Sequence, residues 1–93
     1  MNKQELMKKI ALDAGSDVSP KQIAFVLDSA MHYIMETVAA GEKVRLVGFG
    51  TFEARKREAR TGVNPRTKEK VEIPASTAPA FKPGKVFKDI VNG

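Results

Sequence analysis

The sequence predicts an α+β fold: two N-terminal helices, a three-stranded antiparallel sheet drawn out into a long β-ribbon arm, and a short C-terminal helix. Three observations predict it. Apolar residues recur at helical spacing from Lys3 to Ala40, broken once around Gly15. From Lys43 the period drops to two and glycines and prolines begin to punctuate the chain. Within that second part lies a polar, strongly basic stretch with too few apolar residues to bury a face of its own.

The first helix is expected over about residues 3–14. Asn2 and Glu5 form a capping pair, Leu6, Met7, Ile10, Ala11 and Ala14 share one face, and Gly15 supplies the stop. Ser19-Pro20-Lys21-Gln22 starts the second helix, with Ser19 as cap, Pro20 in the first turn and Gln22 able to reach back. It should run to about Ala40 and end at Gly41. Apolar residues, Leu27 and Ile34 among them, cover most of its circumference, and only Asp28, Ser29, His32 and Glu36 make a polar stripe. A helix of that kind needs cover on several sides, which one short helix and a small sheet cannot give. A second copy of the chain can.

Val44 and Leu46 alternate with Lys43 and Arg45, Val47-Gly48-Phe49-Gly50 makes a turn, and Thr51–Arg55 resumes the alternation. A third strand is expected at Lys70-Val71-Glu72-Ile73, closing at Pro74. Ala80–Gly84 then leads into a short helix with Val86, Phe87, Ile90 and Val91 on one side. The whole is one domain over 1–93: a helical dimerisation base at 1–41, the sheet at 42–81 with an arm at about 56–72, and the C-terminal helix at 82–93.

Charge is placed unevenly. The chain holds 16 Lys and Arg against 11 Asp and Glu, a net charge of +5. Between Arg55 and Lys70 seven basic side chains meet only Glu58 and Glu69, whereas the rest of the chain is balanced. The entire net charge therefore sits on the stretch expected to project as a ribbon. A basic run is often no more than a solvated loop. On a narrow two-stranded ribbon it fits a nucleic-acid groove, where arginines neutralise phosphates and reach base edges. Near the expected tip, Pro65 presents a rigid apolar ring without an N–H to desolvate, the property required of a wedge between stacked base pairs. Arg66, Thr67, Lys68 and Lys70 surround it.

Other classes fit less well. Asp28, His32 and Glu36 lie four residues apart and could in principle hold a metal or an acid–base pair. Their ordinary reading is a solvated stripe with pairing along the helix. With no phosphate-binding glycine loop and no nucleophile motif, neither an enzyme nor a cofactor, a metal or a small-molecule substrate is expected. An RNA-binding protein is the second rival, but single-strand readers usually expose aromatic platforms, and the spacing of the five Phe and one Tyr assigns most of them to the core. The chain has no Cys, no apolar leader and no membrane-spanning run, so a cytoplasmic protein without membrane contact is expected.

Four segments occur in a telling order: Val47-Gly48-Phe49-Gly50-Thr51-Phe52, Arg60-Thr61-Gly62-Val63-Asn64-Pro65, Ile73-Pro74-Ala75 and Pro79-Ala80-Phe81-Lys82-Pro83-Gly84-Lys85. Together they resemble the HU and integration host factor family of DNA-bending proteins, and the HU branch most. The resemblance extends from Met1 to the last helix. It implies an intertwined dimer, in which helices form the base, the sheet forms a saddle, and two arms wrap double-stranded DNA in the nucleoid. It implies arm contacts for Arg55, Arg57, Arg60, Asn64, Pro65 and Arg66, contacts with flanking DNA for Lys3 and Lys85, and an aromatic core between subunits for Phe49, Phe52 and Phe81. A homodimer is the simplest assembly, and a heterodimer with a related chain is the alternative. Little sequence preference is expected, with a sequence-preferring subunit like integration host factor as the alternative within the family. Two positions depart from the family pattern. Val63 stands where arginine is common, and Lys68 where glycine is common. A side chain is penalised at positive φ where glycine is not, so a wider tip is expected.

Overall fold

The computed structural model describes residues 1–93, which divide into two compact units, Met1–Glu36 and Thr37–Gly93. Helix α1 spans Lys3–Ala14; Asn2 Oδ1 accepts the Glu5 N–H at 2.9 Å, and the N–H of Gly15 (φ 63°) returns to the Ala11 carbonyl. Helix α2 spans Pro20–Ala39. The capping box is reciprocal: Ser19 Oγ accepts from the Gln22 N–H at 3.1 Å, and Gln22 Oε1 accepts from the Ser19 N–H at 2.9 Å. The helix ends in a Schellman pair, Glu42 N–H to the Thr37 carbonyl and Gly41 N–H to that of Val38.

Strands β1 (Val44–Leu46), β2 (Gly50–Arg57) and β5 (Ser76–Pro83) form an antiparallel sheet in the order β1-β2-β5. Strands β3 (Arg60–Val63) and β4 (Lys70–Ile73) pair only with each other, and helix α3 covers Lys85–Asn92. The sheet is three-stranded and antiparallel, as expected, but its third strand is β5. Residues 70–73 belong to the ribbon instead. Lys82 and Pro83, expected in the C-terminal helix, end β5. Pro79 and Pro83 obscure this strand in the sequence, yet β5 pairs on one side only, and an edge strand tolerates a missing N–H.

The two hairpin segments share one register. Arg57 faces Ser76 and Arg60 faces Ile73, so both strands advance by three residues between the last rung of the sheet and the first of the ribbon. Glu58-Ala59 and Pro74-Ala75 interrupt the ladder at that point. The ribbon is thus a continuation of the β2–β5 hairpin beyond a break.

Burial is scarce. Ile23 and Val38 are the only buried apolar residues, and no side chain is fully buried. Leu27 and Ile34 are half-buried, while Phe25 (71%), Tyr33 and Met35 stand open on α2. In the second unit four aromatic rings gather: Phe52 and Phe81 at 4.8 Å between centroids, Phe49 and Phe81 at 5.1 Å, and Phe49 stacked on Phe87 at 5.5 Å. Gly50 permits this, since a Cβ there would lie 2.5 Å from both the Lys82 carbonyl oxygen and the Phe81 ring. Phe49 remains 46% exposed, and Val47, Val86, Ile90 and Val91 are more open still. A folded chain of this size normally closes a core, and here the covering surface must come from a second copy. Unfolding should therefore depend on concentration: each tenfold increase in protein should raise the thermal midpoint by about 3–5 °C, measured by circular dichroism. A midpoint independent of concentration would show that one chain is stable by itself.

Candidate nucleic-acid interface

Alternation along β2 sorts the sheet into two unlike faces. Phe52 and Ala54 look to the side of Val44 and Phe81, the aromatic side. Thr51, Glu53, Arg55 and Arg57 look the other way, opposite Lys82, Ala80, Ala78 and Ser76 on β5, with Arg45 opposite Thr51 on β1. This second face combines cations with small side chains, so a polyanion can approach the backbone closely. Glu53 lies at its centre and is the one buried charged residue. Lys43 Nζ (3.5 Å), Lys82 Nζ (3.7 Å) and Arg55 NH2 (3.8 Å) surround its carboxylate.

Arg57 ends β2, Arg60 opens β3 and Lys70 opens β4, all exposed. The tip between β3 and β4 is organised by Asn64. Its Oδ1 accepts from the Arg66 N–H at 2.9 Å, its own N–H donates to the Glu69 carbonyl at 2.9 Å, and its carbonyl accepts from the Lys68 N–H at 2.7 Å. This is an Asx turn, and it leaves Pro65, Arg66, Thr67 and Lys68 exposed. Thr67 Oγ1 adds a longer bond, 3.4 Å, from the Glu69 N–H. Lys68 has φ 59° and is the only non-glycine residue at positive φ. The turn thus keeps a left-handed residue where a side chain is penalised by roughly 1–2 kcal/mol. At Gly62 a Cβ would sit 3.0 Å from Ile73 Cδ1, the far end of an exposed side chain that would have to shift by only a few tenths of an ångström.

Lys3 and Lys85 stand at the first positions of α1 and α3. Lys3 is ion-paired with Asp28. Asp28 is therefore engaged by Lys3, while His32 Nε2 lies 3.3 Å from Glu36 along the helix. Sequence reasoning passed over Glu53, Lys43 and Lys82. The alternation through Glu53 and Arg55 placed those two on one face, but Lys82 joins them only once β5 is known to be a strand.

A family model for bacterial DNA-binding proteins matches residues 1–92. The chain belongs to that family. It is 48% identical over 93 residues to DNA-binding protein HU 1 of Bacillus subtilis, covering all of this chain and 99% of that protein. It is 52% identical over 91 residues to DNA-binding protein HU of Nostoc, covering 98% and 95%. Among solved structures, an Anabaena HU–DNA cocrystal structure superposes with a TM-score of 0.88 at 52% identity, over 98% of this chain and 97% of that one. HU from Thermotoga maritima gives 0.67 at 34% identity, over 98% of each. The likeness to this family thus spans helices, sheet and ribbon together. No helix is long and apolar enough to cross a membrane.

Because local bonds of Asn64 hold the tip, its loss should be felt locally. Asn64→Ala should speed amide hydrogen exchange at Arg66 by about tenfold, the equivalent of one hydrogen bond of roughly 1.4 kcal/mol, and leave the thermal midpoint unchanged. A large fall in the midpoint would mean that the tip is tied into the body of the protein.

Proposed function

We propose that this protein is an architectural, double-stranded DNA-binding protein that acts as a homodimer, bending and compacting DNA with little sequence preference. The carrying observation is the ribbon: paired only with itself, rich in cations, and ending in an Asx turn that leaves Pro65 exposed. Kinship with HU proteins and likeness to an HU–DNA cocrystal structure support the reading. In this proposal the two ribbons of a dimer enter the minor groove and Arg57, Arg60, Arg66, Lys68 and Lys70 lie along the phosphates, while each Pro65 partly unstacks a base step. Asn64 fixes the wedge. Arg55 acts from the sheet face, and Lys3 and Lys85 meet the flanks of the bent duplex. Bending a site costs roughly 1–6 kcal/mol, which several charge contacts together offset. A nicked or flexible duplex is bent more easily and binds more tightly. The protein carries out no chemistry, needs no cofactor, and works in the cytoplasm on the nucleoid. A related chain could replace one subunit without altering the mechanism.

Energy transfer across end-labelled duplex tests the arm. Pro65→Ala should reduce bending more than affinity, and Arg60→Ala should weaken binding on every sequence by about 0.5–1 kcal/mol per subunit. Undiminished bending by both variants would remove the arm from the mechanism. With about eight phosphates neutralised per dimer, log K should fall against log salt with a slope of about −7. A slope near zero would refute an electrostatic grip.

A further inference from the structure

The cationic face of the sheet already holds an anion of its own. Glu53 is 8% exposed, whereas the side chains of Lys43, Arg55 and Lys82 around it are 59–69% exposed. Three separate segments supply these cations: the residue before β1, the strand β2 itself, and the edge strand β5. All three nitrogens approach one carboxylate at 3.5–3.8 Å, longer than charged hydrogen bonds, so each keeps donors free to turn outward. Across β5, Ala80 lies opposite Glu53 and Ala78 opposite Arg55, so no bulky side chain rises between the cluster and an approaching ligand.

We infer that Glu53 is a positioning residue for DNA: an internal counter-anion that gathers Lys43, Arg55 and Lys82 on the sheet face and limits how strongly that face attracts phosphate. This inference rests on the DNA-binding reading above. Without Glu53 the three cations would repel one another and spread apart. With it they stay grouped, and the cluster presents two net charges instead of three. A phosphate that pairs with the cations stands roughly 7 Å from the carboxylate, where repulsion in a water-like dielectric weakens binding about threefold per cluster. The carboxylate thereby shifts the balance of binding from the sheet to the ribbons. A purely structural ion pair would leave the salt dependence of binding unchanged, which separates the two roles.

The test uses the full-length protein and a fluorescent duplex, with affinity measured over a salt series. Glu53→Gln keeps size and loses charge. It should tighten binding at low salt by about three- to tenfold per dimer and steepen the slope of log K against log salt by about 2, one unit of charge per subunit. The parent and variant should converge at high salt. Glu53→Asp, which keeps the charge, should retain the parent's slope. As an independent arm that leaves Glu53 in place, Lys82→Gln should flatten the slope by a similar amount. If Glu53→Gln binds more weakly at every salt concentration with an unchanged slope, or Lys82→Gln leaves the slope untouched, the inference is overturned. A parent protein that fails to bind duplex at all would instead overturn the proposed function.

Discussion

Apolar surface that the chain cannot cover by itself governs this structure. Each large side chain left open, such as Phe25, Met35, Ile90 or Val91, forgoes about 1.5–3 kcal/mol that burial would contribute. Stability margins of folded domains are only about 5–15 kcal/mol, so a handful of such losses is decisive. The aromatic group of Phe49, Phe52, Phe81 and Phe87 is well formed, yet it too is incompletely closed. Covering this surface with a second copy therefore adds to the stability of each chain. A closed pair of identical chains carries its ribbons as a symmetric pair.

The same pleat that exposes this need also separates the working surfaces. Because side chains on β2 alternate, the strand that gives Phe52 to the aromatic side gives Glu53, Arg55 and Arg57 to the cationic side. A slip of one residue in register would exchange the two sets and ruin both. Gly50 guards the register at one end, since only a residue without a side chain fits between the Lys82 carbonyl and the Phe81 ring. Packing and electrostatics are consequently set by one constraint, and neither can be altered alone at these positions.

How much of this was legible in the sequence follows from the range of the interactions involved. Both helices begin and end where Asn2, the Ser19–Gln22 pair, Gly15 and Gly41 place the signals, because a cap is satisfied within a few residues. The ribbon was legible too, since its few apolar residues cannot make a buried face and its tip is closed by local bonds, chiefly those of Asn64. Strand β5 was not. Its alternation is diluted by Ala78, Pro79 and Ala80, and its identity depends on pairing with β2, from Arg57–Ser76 to Gly50–Pro83, far along the chain. The cluster around Glu53 was hidden for the same reason, because Lys43 and Lys82 reach it only through the assembled sheet. Lys68 shows the converse case. Its positive φ contradicts residue preference, and the turn set by Asn64 imposes it nonetheless.

Stability and function make opposite demands on the hairpin, and the break at Glu58-Ala59 and Pro74-Ala75 lets both be met. Below the break, β2 and β5 must hold one register against the aromatic side. Above it, β3 and β4 carry no core residue, and their geometry is maintained by four rungs and the local bonds of the tip. A ribbon held this way can open and reorient without drawing on the stability of the body. Keeping the register continuous across the break still fixes which residues oppose each other, so the Asn64 turn keeps its place at the end of the ribbon. Had the ribbon been anchored by burial, any reorientation would have meant unpacking a core.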